Sequence, residues 1–347
     1  MKKKVSIKDI AQTVGVSTAL VSYVLNNKEK EARVGKEIAQ VIRDTAVEMG
    51  YQPNQIAKSL KTGKSHTFGL IVADISNPFF ANLARNVEDE AKKFNYTVIF
   101  ASADENAEKS QNLINILTER QVDGFIIAPA ENSQDQIEAL LKNNIPIVLI
   151  DRYFKGLDTN YVVTNNYEAS YHAVSHLIEA GNTNIGMVAY KTDLVHMLDR
   201  KRGYLDAIKD NKLLKAKTPL IKTVDFNATQ EEVGEGIREL FTQNPAMDAL
   251  FFATNTLTLK GLKSLNKMEY KVPDDVAIVC FDESEAFDFF YSPLTYIEQP
   301  LLEMGKKAVQ ILIKNISDKK SINTQVSIAS KLIVRQSSAM VVKKKLV

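Results

Sequence analysis

The chain has 347 residues, 45% of them hydrophobic and 25% charged, with a formal net charge of +2. Those proportions are ordinary for a globular chain, and the length suits two or three domains. The single cysteine, Cys280, excludes an internal disulfide and fits a reducing compartment; no apolar run reaches the length of a membrane span. No apolar signal core follows Lys2, Lys3 and Lys4, so the expected location is the cytoplasm.

The net charge hides an asymmetry. Residues 1–64 hold 12 basic and 6 acidic residues, a balance of +6, and the rest hold 32 and 36, a balance of −4. A basic arm on an acidic body points to nucleic acid. The arm also has a pattern. Ile7, Ile10, Ala11 and Val14 recur at helical spacing, and Ser6-Ile7-Lys8-Asp9 reads as a capping box. Gly15 breaks that run. Ser17 can cap a second helix with the stripe Leu20, Val21, Val24 and Leu25. A third stripe, Ile38, Val41, Ile42, Ala46 and Met49, follows Gly35 and stops at Gly50. Two short helices joined at a glycine, then a third, predict a helix-turn-helix. Its second helix would present Thr18, Ala19, Ser22 and Tyr23 to a DNA major groove.

The run from Val5 to Asn27 and the run from Met49 to Leu60 resemble the headpiece and hinge of the LacI-type (lactose-repressor-like) transcriptional regulators. That resemblance implies DNA contacts from Ser6, Ser17, Thr18, Ala19, Ser22, Tyr23 and Asn26. It implies further contacts from the hinge residues Asn54, Ala57, Lys58 and Leu60, with Leu60 as an apolar wedge in the minor groove. Tyr23 departs from the family's usual arginine and cannot read guanine bidentately. A hinge helix over 55 to about 61 is too short to persist alone and should order on DNA.

Beyond residue 65 the pattern becomes α/β. Apolar runs at 68–73, 98–101, 125–128, 147–150, 185–189, 250–253 and 276–281 read as buried strands. Amphipathic stretches such as 81–94, 106–120, 167–180 and 229–242 lie between them. The length exceeds one such core, which predicts two doubly wound parallel-sheet lobes rather than one; a TIM barrel is the competing repeat. The expected organisation is a headpiece over 1–52, a hinge and linker over 53–64, and a two-lobed body over 65–342. The first lobe would hold about 65–163 plus 295–322, and the second about 164–294 plus 323–342.

Polar and aromatic residues cluster just after the predicted strands: Asn77, Phe79 and Phe80, then Asp151 and Arg152, Asn255, Asp282 and Gln299, with Arg200 on a helix. Ligands of open α/β sheets bind outside the strand carboxyl ends. Carboxylates accept from hydroxyls, guanidinium and amide groups donate to them, and aromatic faces cover a sugar's C–H surface. The set resembles the periplasmic sugar-binding-protein-like core of the same family. The resemblance implies a small sugar effector in a cleft between the lobes, and a homodimer on a pseudo-palindromic double-stranded operator. The expected protein is a ligand-responsive regulator, a repressor rather than an enzyme. The alternatives are a sugar receptor and a regulator answering a partner protein. No cofactor is expected. Gly63-Lys64-Ser65 lacks the preceding strand and glycine of a phosphate loop, and four histidines with one cysteine argue against a metal site.

Overall fold

The computed structural model describes residues 5–52, 63–211, 219–318 and 322–339. The chain divides into two compact units, 1–65 and 66–347.

Among the described residues, the first unit contains three helices: α1 (Ile7–Val14), α2 (Thr18–Leu25) and α3 (Lys36–Glu48). Ser6 accepts from the Asp9 amide while Asp9 reaches back to the Ser6 amide, which completes the capping box. Gly15 turns the chain in the left-handed region at φ 76°, a conformation other residues enter at a cost. Ile10, Val21, Val24 and Ile42 are fully buried between the helices. On α3 the buried stripe is Ala39, Ile42 and Ala46; Val41 is 48% exposed, so one member of the expected stripe faces outward. The reason is angular. Val41 lies 100° before Ile42, and three helices this short bury only a narrow stripe.

The second unit is built on two six-stranded sheets. The first lobe runs β1 (Thr67–Val72), α4 (Pro78–Lys93), β2 (Thr97–Ser102), α5 (Ala107–Glu119), β3 (Phe125–Ile127), α6 (Gln134–Lys142), β4 (Ile147–Ile150) and β5 (Tyr161–Thr164). The second runs α7 (Asn166–Glu179), β6 (Ile185–Tyr190), α8 (Val195–Asp210), β7 (Ile221–Val224), α9 (Gln230–Gln243), β8 (Ala249–Phe252), α10 (Asn255–Lys267), β9 (Ala277–Phe281) and β10 (Thr295–Glu298). Then α11 (Leu301–Ser317) and β11 (Gln325–Ile328) return to the first lobe, and β12 (Lys331–Ile333) ends in the second. The strand orders are β11-β5-β4-β3-β1-β2 and β12-β10-β9-β8-β6-β7. Among the described residues, all pairings are parallel except β10 with β12.

Both sheets are therefore doubly wound rather than closed into one barrel. Helices α4 and α11 cover one face of the first sheet through Leu83, Val87, Met304 and Val309. Helices α5 and α6 cover the other through Ile114, Leu117, Ile137 and Leu140. The central strands, such as Phe125–Ile127, Ile147–Ile150, Ala249–Phe252 and Ala277–Phe281, are apolar throughout because both of their faces are buried.

Two of the three expected crossings between lobes shift. Strand β10 pairs with β9 in the second sheet, so the return to the first lobe falls at Gln299-Pro300 rather than 295. A boundary at 295 would strip Tyr296 and Ile297 from the second core, where both are buried. Strand β11 pairs with β5, and Ile328 packs into the first lobe, so the last crossing falls between Ile328 and Lys331 rather than at 323.

Candidate functional site

The order β2-β1-β3 in the first sheet, and its counterpart β7-β6-β8 in the second, reverses direction beside the first strand, and such switch points open a crevice at the strand carboxyl ends. The two crevices face each other across a cavity of about 600 Å³. Eight of the nine expected residues line it: Asn77, Phe79, Phe80, Asp151, Arg152, Arg200, Asp282 and Gln299.

The first lobe supplies an aromatic corner and a buried ion pair. Asn77 caps α4 by accepting from the Phe79 amide, and Pro78 occupies the first helical position, where its missing N–H costs nothing. The helix thus begins three residues earlier than its apolar pattern suggests. Phe79 and Phe80 meet edge to face with centroids 4.9 Å apart. After β4, Asp151 takes a left-handed backbone at φ 66°, which turns its carboxylate into the cleft. Arg152 donates from both terminal nitrogens to Glu105, each at 2.6 Å, so it bridges two loops of one lobe and not the two lobes. Its guanidinium stands 5.9 Å from the Phe80 ring and 5.7 Å from the Phe226 ring of the opposite lobe.

The second lobe answers with equivalent parts. Asp282 follows β9 at φ 74°, as Asp151 follows β4. Gln299 donates to Asp282 Oδ1 at 2.5 Å, and Arg200 Nη1 lies 3.8 Å from Asp282 Oδ2. Arg200 itself donates to Asn166 Oδ1 at 2.8 Å and to the Ala253 carbonyl at 2.7 Å, and lies over the Phe281 ring at 3.5 Å. Tyr190 and Phe226 add a second aromatic pair, 4.5 Å apart.

Asn255 is the exception among the nine. It starts α10 beside the cavity, and its amide donates across the lobes to Asn77 Oδ1 at 3.1 Å and to the Glu283 carbonyl at 3.4 Å. Its side chain is thus spent on joining the walls. A second interlobe bond runs from the Asp193 amide to Glu131, 2.9 Å.

Burial sets the electrostatics. It raises the Asp151 carboxyl to about 6, against the opposing pull of Arg152 and Arg200. It raises Asp282 as well, opposed by Arg200 and Gln299. It drives His196 well below the ordinary imidazole value, helped by the same two arginines, so His196 is neutral. Three buried polar atoms of the wall have no hydrogen-bond partner: Arg152 Nε, His196 Nδ1 and Gln299 Oε1. Buried polar groups without partners are rare, and three on one cavity suit a ligand rich in hydroxyls. Five carboxylates (Asp74, Asp104, Glu105, Asp151 and Asp282) stand against three cations (Arg152, Arg200 and Lys260) around the wall.

Sequence reasoning missed Glu105, Tyr190, His196 and Phe226. Glu105 and Tyr190 lie at or just beyond the carboxyl ends of β2 and β6, where the strand-end rule applies to them as much as to Asp151. Phe226 follows β7, whose Ile-Lys-Thr-Val pattern is half exposed at a sheet edge and does not read as a buried run.

In the first unit, Ser6, Ser17, Thr18, Ala19, Tyr23 and Asn26 are exposed, and Ser22 is half-buried. Ser6 and Ser17 are occupied as helix caps, and Asn26 donates to the Ser22 carbonyl at 2.7 Å. Thr18, Ala19 and Tyr23 therefore form the accessible face of α2. The expected hinge contacts Asn54, Ala57, Lys58 and Leu60 lie outside the described residues.

A capped helix-turn-helix followed by a two-lobed α/β body with a polar cleft defines a ligand-binding DNA regulator. Comparison with known proteins agrees. Residues 6–54 match the bacterial regulatory proteins of the lacI family, and residues 174–338 match the periplasmic binding protein-like domain. The ribose operon repressor of Halalkalibacterium halodurans is 31% identical over 96% of this chain and 97% of its own length. The HTH-type transcriptional repressor PurR of Aliivibrio salmonicida is 30% identical over 90% of this chain and 93% of its own. The chain belongs to the lacI family. Among solved structures, a LacI family transcriptional regulator from Enterococcus faecium with bound ribose covers 79% of this chain and 99% of its own, with TM-score 0.70 and 25% identity. The lac repressor dimer bound to operator and the anti-inducer ONPF shares the fold, covering 97% of this chain and 100% of its own with TM-score 0.85 at 19% identity. Both of these relatives are repressors by name. No described helix is long and apolar enough to cross a membrane.

Proposed function

We propose that this regulator is a homodimeric repressor of a pseudo-palindromic operator, and that a neutral monosaccharide of pentose size, ribose foremost, occupies its cleft and sets its DNA affinity. The observation that carries the sugar is the wall itself: three unpartnered buried polar atoms, two carboxylates turned inward and aromatic faces from both lobes. Hydroxyls would satisfy the orphaned donor and acceptor groups, and Phe79, Phe80 and Phe226 would cover the ring. The names of the ribose operon repressor and of the ribose-bound regulator support the same choice.

The control follows from the interlobe bonds. A ligand that touches both walls binds the closed body better than an open one, and only that difference in affinity can shift the population. Thr18, Ala19 and Tyr23 are assigned to base contacts, and Ser6, Ser17, Ser22 and Asn26 to placing α2 against the backbone. Asn54, Ala57, Lys58 and Leu60 are assigned to the minor groove at the centre of the operator, with Leu60 as the wedge. Titration calorimetry of the full chain against ribose, xylose, glucose, adenine and hypoxanthine tests the ligand. Heat with ribose and silence with the purine bases is expected; binding of a purine base with silence toward every sugar would overturn the sugar reading.

A further inference from the structure

One residue of the cleft does something that a neutral-sugar site does not strictly need. Glu105 sits after β2, and both it and Asp104 hold left-handed backbones, at φ 55° and 51°. Two consecutive non-glycine residues there cost free energy and persist only when their surroundings hold them. They are held: the Glu105 amide donates to the Ala73 carbonyl at 3.0 Å, and Asp104 accepts from Ser102 and pairs with Lys109. The strained turn aims the Glu105 carboxylate at the fork of Arg152, taking both terminal nitrogens at 2.6 Å. The Glu105 side chain is 15% exposed and that of Arg152 5%.

A guanidinium fork is the protein group best matched to phosphate and carboxylate. Here that fork is occupied by the protein's own carboxylate, and only the Nε edge is left without a hydrogen bond. Nε lies 3.4 Å from Asp151 Oδ2, close enough for attraction but not aligned as a hydrogen bond. An anionic ligand would have to displace Glu105 and lie among carboxylates that outnumber the cations of the wall. We infer that Glu105 is a specificity-determining residue: by occupying Arg152 it excludes phosphorylated and carboxylated sugars and leaves one N–H edge for a hydroxyl. The inference rests on the cavity being the effector site and deepens that reading from a sugar to an uncharged one.

The test is titration of the full chain with inorganic phosphate, ribose 5-phosphate and ribose, for the wild type, Glu105→Gln and Glu105→Gln combined with Arg152→Met. Glutamine keeps the shape and removes the charge, which frees the fork. Glu105→Gln should gain phosphate and ribose 5-phosphate affinity on the order of tenfold or more, and the double variant should lose that gain. Equal phosphate affinity in the wild type and Glu105→Gln would overturn the inference. So would a wild type that binds ribose 5-phosphate as tightly as ribose, a measurement that stands even if the variant fails to fold. Failure of ribose alone, with the phosphate gain intact, would remove ribose as the effector and leave the role of Glu105 standing.

Discussion

The two units place their polar residues in opposite ways. On α2, the helix proposed to face DNA, Thr18, Ala19 and Tyr23 are exposed, and none of them has a side-chain hydrogen-bonding partner among the described residues of the unit. In the cleft, Asp151, Arg152, Arg200 and Asp282 are buried; Arg152, Arg200 and Asp282 are hydrogen-bonded to their neighbours, and Asp151 is ion-paired with Arg152. A surface that reads DNA must exchange water for phosphates and base edges, so its side chains stay free and cost the fold little. A closed cleft must hold charges away from water before any ligand arrives, so its residues carry stability and recognition together. Substitutions should therefore separate the two units.

The largest effect is expected at Arg200. Arg200→Met leaves Asp282 buried without its cation and strips a donor from Asn166 and Ala253. The body should lose about 3–5 kcal/mol and its ligand response, read by urea denaturation and calorimetry. A loss under about 1 kcal/mol would mean the cleft is not carrying stability.

Asp151 gives the contrast a pH dependence. Its carboxyl titrates near 6 in the folded chain, against an ordinary 3.8. The folded state therefore keeps a proton that the unfolded chain releases, so this group's contribution to stability falls as pH rises from about 4 through 6. Ligand hydroxyls favour the ionised form, which reverses the trend for binding. Sugar affinity should rise about tenfold between pH 5 and 7 and flatten above. Asp151→Asn should abolish the slope; a slope that survives it assigns the titration elsewhere.

Smaller effects belong to the first unit. Ser17→Ala removes the hydroxyl that accepts from the Leu20 amide and should cost about 1 kcal/mol of that unit's stability. Tyr23→Ala, at a side chain 44% exposed, should move stability by no more than about 0.5 kcal/mol and yet weaken operator binding. Destabilisation matching the loss of binding would erase the contrast.

The same contrast explains what was legible in the sequence. Continuous apolar runs such as Ile147–Ile150 announce central strands, and caps such as Ser6 and Asp9 announce helices, because both signals are local. The polar residues after those strands were legible for the same reason, down to Asp151 and Asp282. Two of the edge strands were not: Gln325–Ile328 and Ile221–Val224 are half exposed and lose the apolar signature, whereas the edge strand Thr97–Ser102 keeps an apolar run and was read. The lobe crossings at Gln299-Pro300 and after Ile328 depend on which sheet a short strand joins, a choice made by distant partners. Asn255 looked like a ligand contact because of its position, and only the opposite lobe shows that Asn77 claims its amide. Glu105 was overlooked because its importance comes from Arg152, 47 residues away in sequence.

The central claim is that a neutral sugar in the cleft controls DNA binding by the basic arm. Fluorescence anisotropy of the full chain on fragments of its own promoter region, at fixed salt and with ribose from zero to saturation, tests it most directly. The wild type should bind specifically with an affinity that changes severalfold or more with ribose, and Asp151→Ala should show no ribose dependence. Specific binding that ignores every neutral sugar, or a ribose response that survives Asp151→Ala, would contradict it.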